Sequence, residues 1–256
     1  MVSSVSDTLK HIKFQFNYIF AHRLRFMAKQ NPKYHNTFSI DNVIFGFDEN
    51  GLKVLLIERA EEAFIGQMAL PGNLGREDEN LDNGAARILF ELTGLKDAHL
   101  EQLYTFGELN RHPLGRVITV AYYSLIRIRN YELQPRISFA KSARWVSVNE
   151  IPQLPFDHNR IIDKALERLR GKLRYKPLGF ELLPEKFTLS QLQQLYESIL
   201  QIPIDTRNFR KKMLGYDLII ELGEKQKDVS HRAAKLYKFD KKQYQKLEKL
   251  GFNFDL

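Results

Sequence analysis

Two stretches of this chain gather side chains of types and spacings that could do chemistry. Between Gly72 and Leu95 the sequence GNLGREDENLDNGAARILFELTGL places Glu79 and Glu91 on either side of Arg87. The pattern predicts a helix from about Asn80 to Leu92, stopped by Thr93-Gly94 with the glycine just past the helix end. Positions 88, 91 and 92 are three and four apart and share one helix face. Carboxylates at all three would be able to hold a divalent cation, but this face carries only Glu91, with Ile88 and Leu92 beside it. Magnesium wants a near-octahedral shell of hard oxygens, to which these side chains contribute nothing. An aliphatic pair also desolvates the site and penalises a bound dication.

The second stretch is FTLSQLQQLYESILQIPIDTRNFRKKMLG, from Phe187 onward. Thr188 is placed to cap a helix carrying Leu192, Leu195, Tyr196 and Ile199 on one face. After a turn through Pro203, Asp205 can cap a second helix, Thr206 to Leu214. Arg207, Asn208, Arg210, Lys211 and Lys212 crowd there around Phe209. Phe209 and Met213 are four apart and can anchor this helix, which leaves the other positions outward. Arginine and asparagine read guanine and adenine edges in the major groove, while lysine suits phosphates. Two strand-like runs follow, Asp217 to Leu222 and Ala233 to Phe239, separated by a polar turn containing Gly223. Helix, helix and a two-stranded wing is a winged helix-turn-helix layout, with Arg232 and Lys235 on the wing.

The rest of the chain supplies the elements that must position these groups. Strands are expected at Ser39 to Phe47, Leu52 to Glu58, Leu103 to Glu108, Val117 to Ile128 and Arg144 to Val148. Asp157 is placed to cap a helix continuing to Arg170, and Gly171 to Pro184 reads as a linker. Near the start, Asp7 to Met27 reads as a helix with Leu9, Ile12, Phe16, Ile19 and Phe20 on one face. This gives three parts: a basic helical arm over 1–37, an α/β/α unit with a mixed sheet over 38–172, and the winged helix over 173–256. The fold class is α+β.

The net charge of +8 is uneven along the chain. Residues 1–36 carry 6 basic and 1 acidic side chains, 37–170 carry 16 and 19, and 171–256 carry 17 and 11. Two basic ends around a mildly acidic middle point to a polyanion partner. The chain has no cysteine, which excludes disulfides, thiolate metal sites and a cysteine nucleophile and fits a reducing cytoplasm. The longest apolar runs are strand-length, so no membrane span is expected, and the N-terminus lacks the pattern of a signal peptide.

With these residues in view, Gly72 to Leu95 resembles the Nudix box, G-x5-E-x7-R-E-U-x-E-E-x-G-U with U aliphatic. Asn73 stands at the first glycine's place, Glu79 is the first glutamate, Arg87 the arginine, and Leu89, Gly94 and Leu95 fall on pattern. The preceding Pro71-Gly72 and the following Trp145 region with Phe156-Asp157-His158 match the family's wider layout. The resemblance implies that Glu79 and Arg87 form a bracing ion pair. It also makes Ile88 and Leu92 replacements of metal-holding glutamates beside a surviving Glu91, a degenerate box with no metal or cofactor.

The second half resembles the Nudix-related transcriptional regulators, the NrtR-like family, through Leu182-Leu183-Pro184, Phe187-Thr188-Leu189, Leu195-Tyr196-Glu197, Arg207-Asn208-Phe209-Arg210-Lys211 and Leu236-Tyr237-Lys238-Phe239. Where many members have Arg-Pro-Ala before the last strand, this chain has His231-Arg232-Ala233-Ala234. The resemblance implies a homodimer on a palindromic double-stranded operator, controlled by a small effector in the Nudix unit. Some members sense ADP-ribose, while those most similar to this sequence look like sensors of pentoses such as arabinose. Loss of the metal face argues against a diphosphate, and a neutral sugar needs paired donors and acceptors. Glu108, Asn110, Arg111, His112 and Arg116, in a polar loop between two strands, are the candidates for it. The arm is expected to pack within the dimer, because its Phe-rich face would otherwise be an exposed apolar patch. The competing function is a Nudix hydrolase of a nucleoside diphosphate derivative using Glu79 and Glu91.

Overall fold

The computed structural model describes residues 37–96, 98–113, 115–128, 133–227 and 233–250. The arm expected over 1–37, apart from Thr37, lies outside them, as do His231 and Arg232.

Five long strands form the body of one mixed sheet: β1 (Thr37–Asp48), β2 (Gly51–Arg59), β5 (Glu101–Phe106), β6 (Val117–Arg127) and β7 (Ala140–Ser147). β1 pairs in parallel with β6 along its whole length, and β5, β2 and β7 join as antiparallel neighbours. Two short strands, β3 (Met68–Ala69) and β4 (Gly72–Leu74), pair with β2 and β1. Neither is visible in the periodicity, because two or three residues are too few to alternate.

Alternation along β1 and β2 sends Ile40, Ile44, Leu55 and Ile57 to one face of the sheet and Val43, Phe45, Val54 and Leu56 to the other. The first face is covered by α1 (Leu81–Thr93), the second by α2 (His158–Leu173). Asn80 caps α1 by accepting from the Asn83 N–H at 2.8 Å. Gly94 ends it at φ 80, a left-handed conformation that costs glycine least.

The C-terminal unit holds α3 (Leu189–Leu200), α4 (Thr206–Gly215), β8 (Ile219–Lys225), β9 (Lys235–Phe239) and α5 (Lys241–Lys249). Thr188 and Gln191 form a reciprocal capping box on α3, and Asp205 caps α4. Phe187 makes a single antiparallel bridge to Tyr237 of β9. Gly223 lies inside β8 at φ 69, where the register shifts, and not in the turn expected for it.

The stretch read as a linker is built differently. α2 continues to Leu173, a 3-10 turn spans Leu178–Glu181, and Phe180, Leu182 and Leu183 are buried. They belong to one apolar cluster running from Phe45 and Leu56 through Leu166 and Leu169 to Leu192, Leu195 and Phe209. Within the stretch, Gly179 packs closely against Leu195 and Tyr196 of α3. Polar contacts run beside this core: Arg170 Nε donates to the Ile199 carbonyl at 2.8 Å, and Gln194 Nε2 to the Glu49 carbonyl at 2.8 Å. Among the described residues no helix is long and apolar enough to cross a membrane.

A shared core predicts shared unfolding. Leu192→Ala, at a fully buried position, is expected to cost about 2–5 kcal/mol in denaturant. Trp145, the single tryptophan, reports from β7 in the other unit, and its fluorescence transition is expected to shift to lower denaturant by the same amount. A transition at Trp145 that ignores the substitution would mean two separate cores.

Candidate functional site

On α1, Ile88 and Leu92 are fully buried against Ile40, Ile57, Val120 and Tyr122. The carboxylates near them are taken by arginine. Arg87 forks onto Glu79 at 2.7 and 2.5 Å and donates to Glu91 at 2.8 Å, while Arg76 reaches Glu91 at 3.1 Å. The hydrogen bond from Arg87 is the main reason that the Glu79 carboxyl is lowered to about 2. The pairing brackets the Gly72–Glu79 loop onto the helix, as the sequence resemblance implied. Among the described residues no three His, Asp or Glu side chains group as metal ligands.

On the other face of the sheet lies a cleft of about 890 Å³ lined by Phe64, Glu108, Leu109, Asn110, Arg111, Phe156, Asp157 and Arg160. Arg111, in its lining, also belongs to a buried charge cluster centred on Asp41, which is 4% exposed. The Asp41 carboxylate accepts from Thr119 Oγ1 at 2.7 Å and Arg111 Nη2 at 3.5 Å, and lies 3.6 Å from His158 Nε2. Arg111 forks onto Asp157 at 2.9 and 2.7 Å. Arg160 pairs with Glu108 at 2.5 Å. A side chain at position 72 would put its Cβ 1.8 Å from Asp41 Oδ1, so the glycine leaves room for the carboxylate.

Of the five loop residues expected to bind an effector, Glu108, Asn110 and Arg111 line the cleft. His112 stacks against Phe156, ring centroids 5.0 Å apart. Arg116 turns back to donate to the Gly107 carbonyl within its own loop. Sequence reading missed Asp41, Phe64, Arg160 and the true task of Asp157. The available signal was Asp41-Asn42 inside an otherwise apolar strand, since a buried charge requires partners. Asp157 stands at the start of α2 as expected, but its side chain makes no cap hydrogen bond because Arg111 holds both oxygens.

His158 accepts the Leu70 N–H on Nδ1 at 3.0 Å, which assigns the proton of the neutral ring to Nε2, facing Asp41. Burial holds this histidine below its ordinary value of 6.5, with Arg111 and Arg59 adding to the effect and Asp41 and Asp157 opposing it. His112 is lowered as well, chiefly by burial.

In the C-terminal unit, α4 buries Phe209 and Met213 and exposes Arg207, Asn208, Arg210, Lys211 and Lys212. Arg210 is held toward α3 by a 3.1 Å bond to Ser190 Oγ. On the wing, Lys235 is ion-paired to Glu221 at 2.8 Å.

A mixed sheet with one helix on each face, joined through a common core to a winged helix, defines a two-domain protein of Nudix fold plus DNA-binding-type module. Comparison with known proteins agrees: the NUDIX domain matches residues 37–169, and the NrtR DNA-binding winged helix domain matches residues 179–239. The chain belongs to the NrtR-type family of Nudix and winged-helix transcriptional regulators. It is 34% identical, over 84% of both chains, to the ADPR responsive transcriptional repressor of Acinetobacter baylyi. Its fold resembles Shewanella oneidensis NrtR complexed with a 27mer DNA, at 34% identity and TM-score 0.66, covering 79% of this chain and 93% of that one. A MutT/nudix family protein from Enterococcus faecalis matches at 25% identity and TM-score 0.65, covering 86% and 93%.

The two lowered histidines predict an acid-sensitive fold. The unfolded chain takes up protons near pH 6.5 where the folded state resists them. Stability is therefore full above that value and declines as pH falls below it. Glu79 acts in a lower window, losing its contribution between 4.5 and about 2. Denaturation at about pH 7.5 and about pH 5.5 is expected to give a clear loss for the wild type and a smaller one for His158→Gln. Equal losses would mean that His158 titrates normally in the fold.

Proposed function

We propose that this protein is a DNA-binding transcriptional regulator whose Nudix domain carries a degenerate box, does not hydrolyse diphosphates, and receives a small effector in the cleft beside Arg111. The observation that carries the reading is α4. Its two apolar residues are buried and its arginines, asparagine and lysines face outward, on a winged helix of a regulator family. Arg207 and Asn208, in the first turn, are assigned to base edges, and Lys211 and Lys212 to the flanking phosphates. One such helix reads only a few base pairs, so a homodimer on a palindrome is the expected working form, acting in the cytoplasm.

The effector is proposed to be a neutral sugar of about pentose size. Both guanidiniums lining the cleft are already neutralised, Arg111 by Asp157 and Arg160 by Glu108. A diphosphate would bring like charge against the Asp157 and Glu108 carboxylates, whereas neutral hydroxyl groups can bond to the arginines and to Asn110, with Phe156 supplying an apolar wall. ADP-ribose is the second reading, favoured by the 34% identity to an ADPR responsive repressor.

Two measurements test this. Arg207→Ala or Asn208→Ala is expected to cost about 1–3 kcal/mol on the operator and much less on random DNA. Lys212→Ala is expected to weaken both DNAs alike and flatten the salt dependence by about one counterion per lost contact. Operator binding that ignores all three would remove α4 as the recognition helix. The pure protein with magnesium or manganese is expected not to turn over ADP-ribose, and gel shifts with arabinose and with ADP-ribose separate the two effectors. Robust turnover would return the protein to the hydrolases.

A further inference from the structure

α2 connects the two functional regions as one continuous rod. Its 16 residues, at 1.5 Å each, span about 24 Å. The N-terminal end stands in the cleft, where Asp157 is forked by Arg111, His158 holds the Leu70 N–H, and Arg160 pairs with Glu108. At the far end, Leu169 and Leu173 enter the core shared with α3, and Arg170 Nε bonds the Ile199 carbonyl in the last turn of α3.

Beyond Ile199 the contacts continue to the recognition helix. Glu197 Oε1 accepts the Ile204 N–H at 2.9 Å. Gln193 Nε2 donates to the Ile204 carbonyl at 3.0 Å and to Thr206 Oγ1 at 3.1 Å. These bonds fix the loop from which α4 starts.

The cleft end of the rod is not in its most relaxed arrangement. An aspartate at a helix N-cap ordinarily accepts from the amides of the first turn. Asp157 does not, and its backbone at φ −105 and ψ 25 lies outside the extended region that capping requires. Phe156 just before it sits at φ 59, in the left-handed region that costs a residue with a Cβ. The Asp157 carboxylate thus has two mutually exclusive positions, on Arg111 or on the first turn of α2, and reaching the second requires the Phe156–Asp157 backbone to turn.

We propose that Asp157 is the positioning residue that couples effector binding to DNA binding. Ligand oxygens that take the N–H groups of Arg111 release the carboxylate to cap α2, Phe156 and the first turn of α2 resettle, and Arg170 passes the shift to α3 and the loop before α4. This rests on the cleft being the effector site. Sugar hydroxyls and phosphate oxygens can both engage Arg111, so the coupling does not depend on which effector is correct.

The test uses the full chain without ligand. Asp157→Ser can cap but cannot fork Arg111. Hydrogen exchange at the amides of Asn159 and Arg160 is expected to slow by roughly fivefold. Exchange across Gln201 to Asp205 is expected to change by more than about twofold. Adding Arg170→Met, which keeps the apolar stem and removes the donor, should preserve the first effect and abolish the second. No distal change in Asp157→Ser, or the same distal change in the double variant, overturns the proposal. With operator DNA present, Arg170→Met is expected to bind arabinose or ADP-ribose as the wild type does, while the probe's effect on operator affinity falls by at least about fivefold. An undiminished effect overturns the proposal. If neither probe binds the wild type, the effector reading of the cleft falls, and the exchange pattern still decides whether Asp157 and Arg170 are coupled.

Discussion

Asp41 is a carboxylate in the middle of a strand that pairs on both edges, and burying an unpaired charge there would cost several kcal/mol. The structure meets that cost with residues brought from far along the chain: Arg111 from the β5–β6 loop, Thr119 from β6 and His158 from α2. Gly72 is held to a hydrogen side chain by the same carboxylate. Arg111 carries a second ion pair to Asp157. Through Arg111 and His158 the same charge ties the β5–β6 loop and the start of α2 to the sheet, while the apolar face of α2 seats the rest of the helix.

The buried charges of this cluster lie away from α1. The Glu79–Arg87 fork holds the loop on α1, and Ile88 and Leu92 complete the apolar packing under the helix. Polar density is concentrated on the opposite face of the sheet, beside α2. The proposed sensing role follows from that division, since α2 and not α1 adjoins the winged helix.

The two domains are not beads on a string. Buried Phe180, Leu182 and Leu183 fill the junction, and hydrogen bonds from Arg170 and Gln194 bridge it. A junction packed to this degree transmits displacement between discrete arrangements and does not absorb it as a loose linker would.

The sequence alone determined the elements whose stability is local. Asn80 and Gly94 delimit α1, Thr188 and Gln191 begin α3, and Phe209 with Met213 orients α4; each depends on side chains within four residues of one another. The long strands were legible for the same reason, because alternation is a property of neighbours. Ile88 and Leu92 revealed the apolar face of α1 without any structure. α5 was not read from the sequence, although Asp240 caps it by accepting from the Gln243 N–H, because it directs only Tyr244 and Leu247 toward the core. Only the tertiary structure decided that Asp157 would serve Arg111, 46 residues away, and leave its own helix uncapped. It alone decided that Asp41, Arg111 and His158 would meet, and that Leu173, Phe180, Leu182 and Leu183, in the stretch read as a linker, would be buried. Caps and periodicity are written over a few residues, whereas the partner of a buried charge is chosen by which strands and loops the fold brings beside it.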